Sequence, residues 1–172
     1  SDALPYEPQI DLMRQIIPSL KNVGYVYSPG EVNSTIILKN LKEKLTPLGI
    51  KVHEAPAQRS TDIAMAARSL EGKVDMIYTS TDNNVVSAYE SLYQAAKESK
   101  IPLIASDTSS VERGAIAALG VNYYDLGRET GKIVVRILNG EKAGAIPVYT
   151  PKVLDLYVSP KHAKEQGITL PQ

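Results

Sequence analysis

The chain contains no cysteine, phenylalanine or tryptophan, and it has only two histidines. Without cysteine it cannot form disulfides, thiolate metal ligands or a cysteine nucleophile. Its 19 Lys and Arg residues equal its 19 Asp and Glu residues, so it lacks the basic excess that nucleic-acid and anionic-membrane binders usually carry. No apolar run approaches the roughly 20 residues that span a bilayer. These absences argue against nucleic-acid and membrane partners.

Sequence signatures of enzymes are also missing. There is no Gly-x-Gly-x-x-Gly after a strand, no phosphate-binding loop ending in Gly-Lys-Ser/Thr, and no Gly-x-Ser-x-Gly elbow. His53 falls in a predicted strand and His162 in a predicted C-terminal helix. Neither is spaced with another histidine or acid as a metal site requires. The sequence therefore predicts no catalytic residues, no metal and no cofactor.

What the sequence does contain is a regular alternation of short apolar runs and amphipathic segments. Its 172 residues, 43% of them hydrophobic, suit one domain with a substantial core. Strands that alternate with helices predict an α/β fold with three layers, a doubly wound and mostly parallel sheet of five or more strands, and helices on both faces. The predicted strands are 23–27, 50–53, 74–78, 101–105, 115–119 and 153–158, and the predicted helices are 8–19, 32–48, 62–70, 85–97 and 126–138.

Polar loops follow four of the predicted strands, at 28–34, 79–84, 106–110 and around 122–124. In an open parallel sheet the carboxyl ends of the strands meet at one edge, where ligands bind. We therefore expect these loops to converge on one rim. Each loop also has a purely structural interpretation, because Ser, Asp and Asn are favoured helix N-caps.

Tyrosine is the main aromatic residue, with ten copies. Tyr25, Tyr27 and Tyr78 lie in predicted strands, and we expect them in the core with hydroxyls that reach water. Tyr123 and Tyr124 lie near the expected rim. One of them is placed either to stack on a planar ligand or to dock against a neighbouring lobe.

Four segments, 26–34, 78–88, 105–115 and 122–131, resemble the substrate-binding proteins of ABC-type uptake systems. The matching group has the type I periplasmic binding fold and includes binders of aromatic amino acids such as tryptophan. The resemblance covers essentially the whole chain. It implies an extracytoplasmic protein, periplasmic or in the cell envelope, that delivers a small organic solute to a membrane permease, and an amino acid is the expected solute.

The resemblance also implies a domain arrangement, because the family has two similar flavodoxin-like α/β lobes joined by three crossovers. Residues 1–121 correspond to the second lobe, 122–150 to a helix and crossover of the first lobe, and 151–172 to a return strand and tail. Most of the first lobe, and a signal peptide, would precede Ser1. A chain of these 172 residues alone is expected to self-associate, or to exchange a helix between chains, through the segment 124–138.

The family's ligand contacts, carried over by position, fall in the four loops. The resemblance assigns no catalytic role to them. The helix N-terminus at Asn33 and Ser34 offers amide donors to a carboxylate, and Asp107 offers a partner to an ammonium group. The implied ligand-binding residues are Asn33, Ser34, Thr81, Asp82, Asp107 and Asn122.

Two other function classes remain open for this sequence. One is the ligand-sensing core of a transcription regulator with this fold, and the other is a small flavodoxin-like enzyme.

Overall fold

A six-stranded sheet forms the centre of the protein, and the computed structural model describes residues 4–151 and 153–171. The strand order is β2-β1-β3-β4-β5-β6. The first five strands are parallel, and β6 lies antiparallel to β5 at the edge. The predicted three-layer, mostly parallel α/β fold is confirmed. The strands are β1 Asn22–Tyr27, β2 Lys51–Pro56, β3 Met76–Thr79, β4 Leu103–Ala105, β5 Ala117–Val121 and β6 Leu154–Val158.

Helices cover both faces of the sheet, because successive strand residues point to opposite sides. Tyr25 joins the core that packs under α1, α2 and α7, whereas Val26 joins the core under α3 and α5. The helices are α1 Tyr6–Ile16, α2 Val32–Leu45, α3 Ile63–Arg68, α4 Asn83–Ser87, α5 Tyr89–Glu98, α6 Tyr123–Leu138 and α7 Pro160–Glu165.

The element boundaries differ from the sequence prediction in a few places. The predicted helix 85–97 is two helices, since Ala88 has φ −112° and ψ 27°, outside the helical region. The predicted helix 32–48 ends as an α-helix at Leu45 and continues as a 3₁₀ turn. Gly49 follows this turn with φ 72°, a left-handed conformation that glycine adopts without steric cost.

Tyr25, Tyr27 and Tyr78 lie in the core as predicted, and their hydroxyls are hydrogen-bonded to other side chains. Tyr25 donates to or accepts from the Ser80 hydroxyl at 2.7 Å, and Tyr78 donates to Gln9 at 3.2 Å. Tyr27 donates to the Glu54 carboxylate at 3.1 Å. These buried hydroxyls are paired within the protein, as burial of a polar group requires.

Helix α6 differs from the other long helices because none of its residues is buried. Its apolar side chains Val134, Val135, Ile137 and Leu138 are between 41% and 79% exposed. Within residues 4–151 and 153–171, no helix is both long and apolar enough to cross a membrane.

Candidate functional site

A groove lies at the carboxyl-terminal ends of the parallel strands, with a cavity volume of about 460 Å³. That volume lies within the range of small-molecule sites. The groove combines apolar side chains with amide and hydroxyl groups, which is typical of a pocket that orients an organic ligand. Its lining residues are Leu4, Tyr6, Gln9, Asn33, Ile36, Ile37, Asn40, Tyr78, Thr81, Ser106, Val121 and Tyr123.

Helix α2 forms one wall of the groove. Asn33, Ile36, Ile37 and Asn40 line it, and their spacing of three and four residues places them on one helical face. The two asparagines lie about 10 Å apart along the axis, at 1.5 Å per residue. Two isoleucines therefore separate two amide groups along this wall.

Each end of this wall is tied to another element. Asn33 Nδ2 donates to the Thr81 carbonyl at 3.4 Å, next to the loop after β3. Asn40 Nδ2 donates to the Tyr6 hydroxyl of α1 at 2.9 Å. The groove thus runs from the β3 rim to the first turn of α1.

A paired polar cluster forms the floor. Gln9 of α1 donates from Nε2 to the Leu119 carbonyl at 2.8 Å, and its Oε1 accepts from the Tyr78 hydroxyl. Burial raises the pKa of Tyr78, and hydrogen bonding to Ser106 opposes that rise. Tyr78 therefore stays neutral at physiological pH, and the floor presents fixed dipoles rather than a charge.

Asp82 and Ser34, predicted as ligand contacts, lie instead in a buried network behind the groove. Both residues are 0% exposed. The Asp82 carboxylate accepts from the Ser28 amide at 2.7 Å, the Ser28 hydroxyl at 2.8 Å and the Ser34 hydroxyl at 2.6 Å. It also caps α4 by accepting from the Val85 amide at 3.1 Å. This placement favours a structural role over the predicted ligand contact, since a buried carboxylate needs these donors.

The same network fixes the position of both rim loops. Asp82 follows β3, whereas Ser28 and Ser34 follow β1, so one carboxylate joins the two loops. On the outer side, Glu31 accepts from the amide of Asn83 at 3.1 Å and from its side chain at 3.0 Å. As a result Asn33 and Thr81 are held in place before any ligand arrives.

Asp107 follows β4 but does not line the groove. Its carboxylate accepts from the Ser109 amide at 3.4 Å and from the Ser110 hydroxyl at 3.1 Å, which caps the 3₁₀ turn Thr108–Val111. The residue before it, Ser106, reaches the groove instead. The structure therefore places Thr81 in the groove and Asp107 beside it, with its carboxylate facing the turn.

Asn122 lies at the start of α6, next to the groove residues Val121 and Tyr123. Its Oδ1 accepts from the Asp125 amide at 3.1 Å, and its Nδ2 donates to Asp155 at 2.9 Å. The side chain serves as a helix cap and ties α6 to β6. Of the six predicted residues, the structure thus brings Asn33 and Thr81 into the groove.

Sequence reasoning missed several groove residues because they belong to helix faces or strands rather than loops. Gln9 interrupts the apolar face of the predicted helix 8–19, which is the one available signal. Asn40 lies on the face of α2 that also carries Ile36 and Ile37 and was not singled out, and Tyr6 precedes the predicted helix start. Tyr78 was interpreted as a core residue, which is only part of its role.

The chemistry that the site offers is binding. In the described ranges, no group of three or more His, Asp or Glu residues is arranged to hold a metal ion. The groove residues are amides, hydroxyls and hydrocarbon. Such groups orient a ligand through hydrogen bonds and shape.

Comparison with known proteins identifies relatives across the whole chain. Residues 1–172 match the family described as ABC transporter substrate binding protein. A curated relative, the "Tyrosine-binding protein" of Clostridioides difficile, is 36% identical over 150 residues, which cover 87% of this chain and 44% of that protein. The chain therefore spans about half the length of the curated relatives it matches.

Solved structures agree with this result. A conserved domain protein from Vibrio cholerae superposes with a TM-score of 0.94 at 40% identity, covering 100% of this chain and 58% of that one. The ABC domain of a Streptococcus pneumoniae protein in complex with L-Trp superposes with a TM-score of 0.90 at 31% identity, covering 99% of this chain and 59% of that one.

Proposed function

This chain belongs to the ABC transporter substrate-binding protein family, and on that premise we propose that it binds an aromatic amino acid in the groove at the strand ends. Family membership favours this role over a regulator core or a flavodoxin-like enzyme. The similar proteins named for tyrosine binding and solved with L-Trp support the ligand class. The proposal assigns the chain no catalytic step.

The observation that carries the proposal is the composition of the groove. Its polar rim, at Asn33 and Thr81, lies beside the N-terminus of α2, and the cap residue Glu31 makes no side-chain bond to that N-terminus. Helix N-terminal amides attract a carboxylate. Ile36 and Ile37 then continue the wall as hydrocarbon, which suits an aromatic ring.

We further propose that the ligand passes to a permease in the membrane and that the protein works outside the cytoplasm. Both proposals rest on the family, whose members supply ABC transporters. In this arrangement the groove is half of the site, because the chain spans 58% or 59% of the similar solved chains. The remainder of the protein would cover the ligand.

The domain arrangement that the sequence implied also stays a proposal. We propose that residues 1–121 and 151–172 form one lobe and that 122–150 belong to another. The exposed apolar face of α6 supports this division, since a helix of this kind normally packs against a core. β6 supports it as well, because it returns to the sheet beside β5.

The proposal is tested by calorimetric titration of the full-length protein with L-tyrosine, L-tryptophan and L-leucine. We expect the two aromatic amino acids to bind and L-leucine to bind much more weakly. Thr81→Val removes a rim hydroxyl at nearly constant volume, so it should weaken aromatic binding about fivefold to tenfold.

Thr130→Val is the matched control, because the Thr130 hydroxyl donates to the Leu126 carbonyl within α6, away from the groove residues. It should leave the affinity unchanged. Absence of binding for all three amino acids, or equal effects of the two threonine variants, would contradict the proposal.

A further inference from the structure

The far end of the groove carries two polar side chains in addition to those at the rim. They lie too far from the rim to be needed for binding the amino and carboxyl groups of a ligand held there. Tyr6 and Asn40 meet there, two helical turns from the rim at Asn33. The Tyr6 hydroxyl accepts a hydrogen bond from Asn40, which leaves its own hydrogen to be donated elsewhere. Asn40 Oδ1 is an acceptor on the same side chain.

The order of groups along α2 matches the order of groups in an aromatic amino acid that carries a polar ring atom. Asn33 lies at the rim, Ile36 and Ile37 follow, and Asn40 comes last on the same face. A ligand with its carboxylate at the α2 N-terminus lays its ring against the isoleucines. The ring's outer edge then reaches Asn40 and Tyr6.

We propose that Tyr6 and Asn40 determine specificity by hydrogen-bonding a ring donor, the phenol O–H of tyrosine or the indole N–H of tryptophan, and so discriminate against phenylalanine. This inference rests on the proposed function of the groove. A site built to hydrogen-bond a hydroxyl disfavours the analogue that lacks it, because its own polar groups are left unpaired. One such bond corresponds to about a tenfold difference in affinity.

The floor supports the geometry of the pair. Gln9 lies one helical turn from Tyr6 on α1 and is held by the Leu119 carbonyl and the Tyr78 hydroxyl. α1 also packs against α2, so Tyr6 and Asn40 sit on two helices with a fixed separation. Rigid elements position binding groups more accurately than loops do.

The test compares the affinities of the full-length protein for L-tyrosine and L-phenylalanine, which differ by the hydroxyl alone. The wild-type protein should bind L-tyrosine about tenfold more tightly. In Tyr6→Phe and in Asn40→Leu, affinity for L-tyrosine should fall while affinity for L-phenylalanine stays the same. The ratio of the affinity for L-tyrosine to that for L-phenylalanine should therefore approach one. A variant that is merely misfolded weakens both ligands together and leaves the ratio unchanged.

Tyr93→Phe is the matched control, since it removes the same atom from an α5 hydroxyl that donates to Glu165 of α7 at 2.6 Å, and neither residue lines the groove. Its ratio should equal that of the wild-type protein. A wild-type ratio near one, or unchanged ratios in both groove variants with wild-type affinity for L-phenylalanine, overturns this inference and leaves the proposed function standing. Absence of binding for both amino acids overturns the proposed function, and this inference with it.

Discussion

Helices α5 and α6 are both long and amphipathic, yet they are packed in opposite ways. α5 buries Tyr89, Leu92, Ala95 and Ala96 against the sheet and α3. α6 carries a comparable apolar stripe and buries none of it. The difference shows that an apolar face needs a partner surface as well as the right sequence pattern.

The same contrast applies to the polar residues that begin helices in the two regions. At the start of α4, the cap residue Asp82 also accepts hydrogen bonds from Ser28 and Ser34, so it joins two loops. At the start of α6, the cap residue Asn122 contacts one amide and Asp155. The loss of unfolding free energy when each cap residue is replaced therefore measures how many contacts the cap makes with the rest of the fold.

The largest effect is expected from Asp82→Ala, which leaves several buried donors without an acceptor. Each costs about 1–3 kcal/mol, so we expect a loss of about 4 kcal/mol in the free energy of unfolding. Asn122→Ala should cost about 1 kcal/mol, the usual value of an N-cap. Denaturant unfolding of the two variants checks this, and equal losses would contradict the contrast.

Truncation of one apolar side chain in α5 and one in α6 should give a slightly smaller difference in the free energy of unfolding. Leu92→Ala in α5 creates a cavity in the core and should cost about 3 kcal/mol. Ile137→Ala in α6 should cost less than about 0.5 kcal/mol in the 172-residue chain, as surface substitutions do. In the full-length protein, the proposed first lobe should raise the cost of Ile137→Ala to about 2 kcal/mol. An unchanged small cost there would argue against the division at residue 122.

The smallest expected effect is weak self-association of the 172-residue chain. Apolar patches beyond a few hundred Å² are uncommon on monomers, so the exposed face of α6 should drive self-association at high concentration. Light scattering should show oligomers that dissociate in the double variant Val134→Lys and Ile137→Lys. A strictly monomeric wild-type chain with α6 ordered would refute this expectation.

Much of the fold was predictable because periodicity reports burial directly. The predicted strands 23–27 and 101–105 lie on β1 and β4, and the α/β class and the mostly parallel sheet are confirmed. Boundaries were less accurate where backbone geometry decides them, as at Ala88, whose conformation divides one predicted helix into two.

The site was predictable only in part. Loop position brought attention to Asn33 and Thr81, which lie in the groove, and their role as ligand contacts stays a prediction. Loop position could not separate a residue that faces the groove, such as Thr81, from one that faces the interior, such as Asp82. Tyr6 and Asn40 lie on different helices. Their hydrogen bond depends on the packing of α1 against α2, which no local sequence pattern predicts.

A crystal structure of the full-length protein with L-tyrosine tests the central claim most directly. We predict the ring against Ile36 and Ile37, the carboxylate at the start of α2, and the phenol oxygen within hydrogen-bond distance of Tyr6 or Asn40. α6 should be covered by the remainder of the protein. A ligand bound away from this groove, or α6 exposed in the complete protein, would contradict the account.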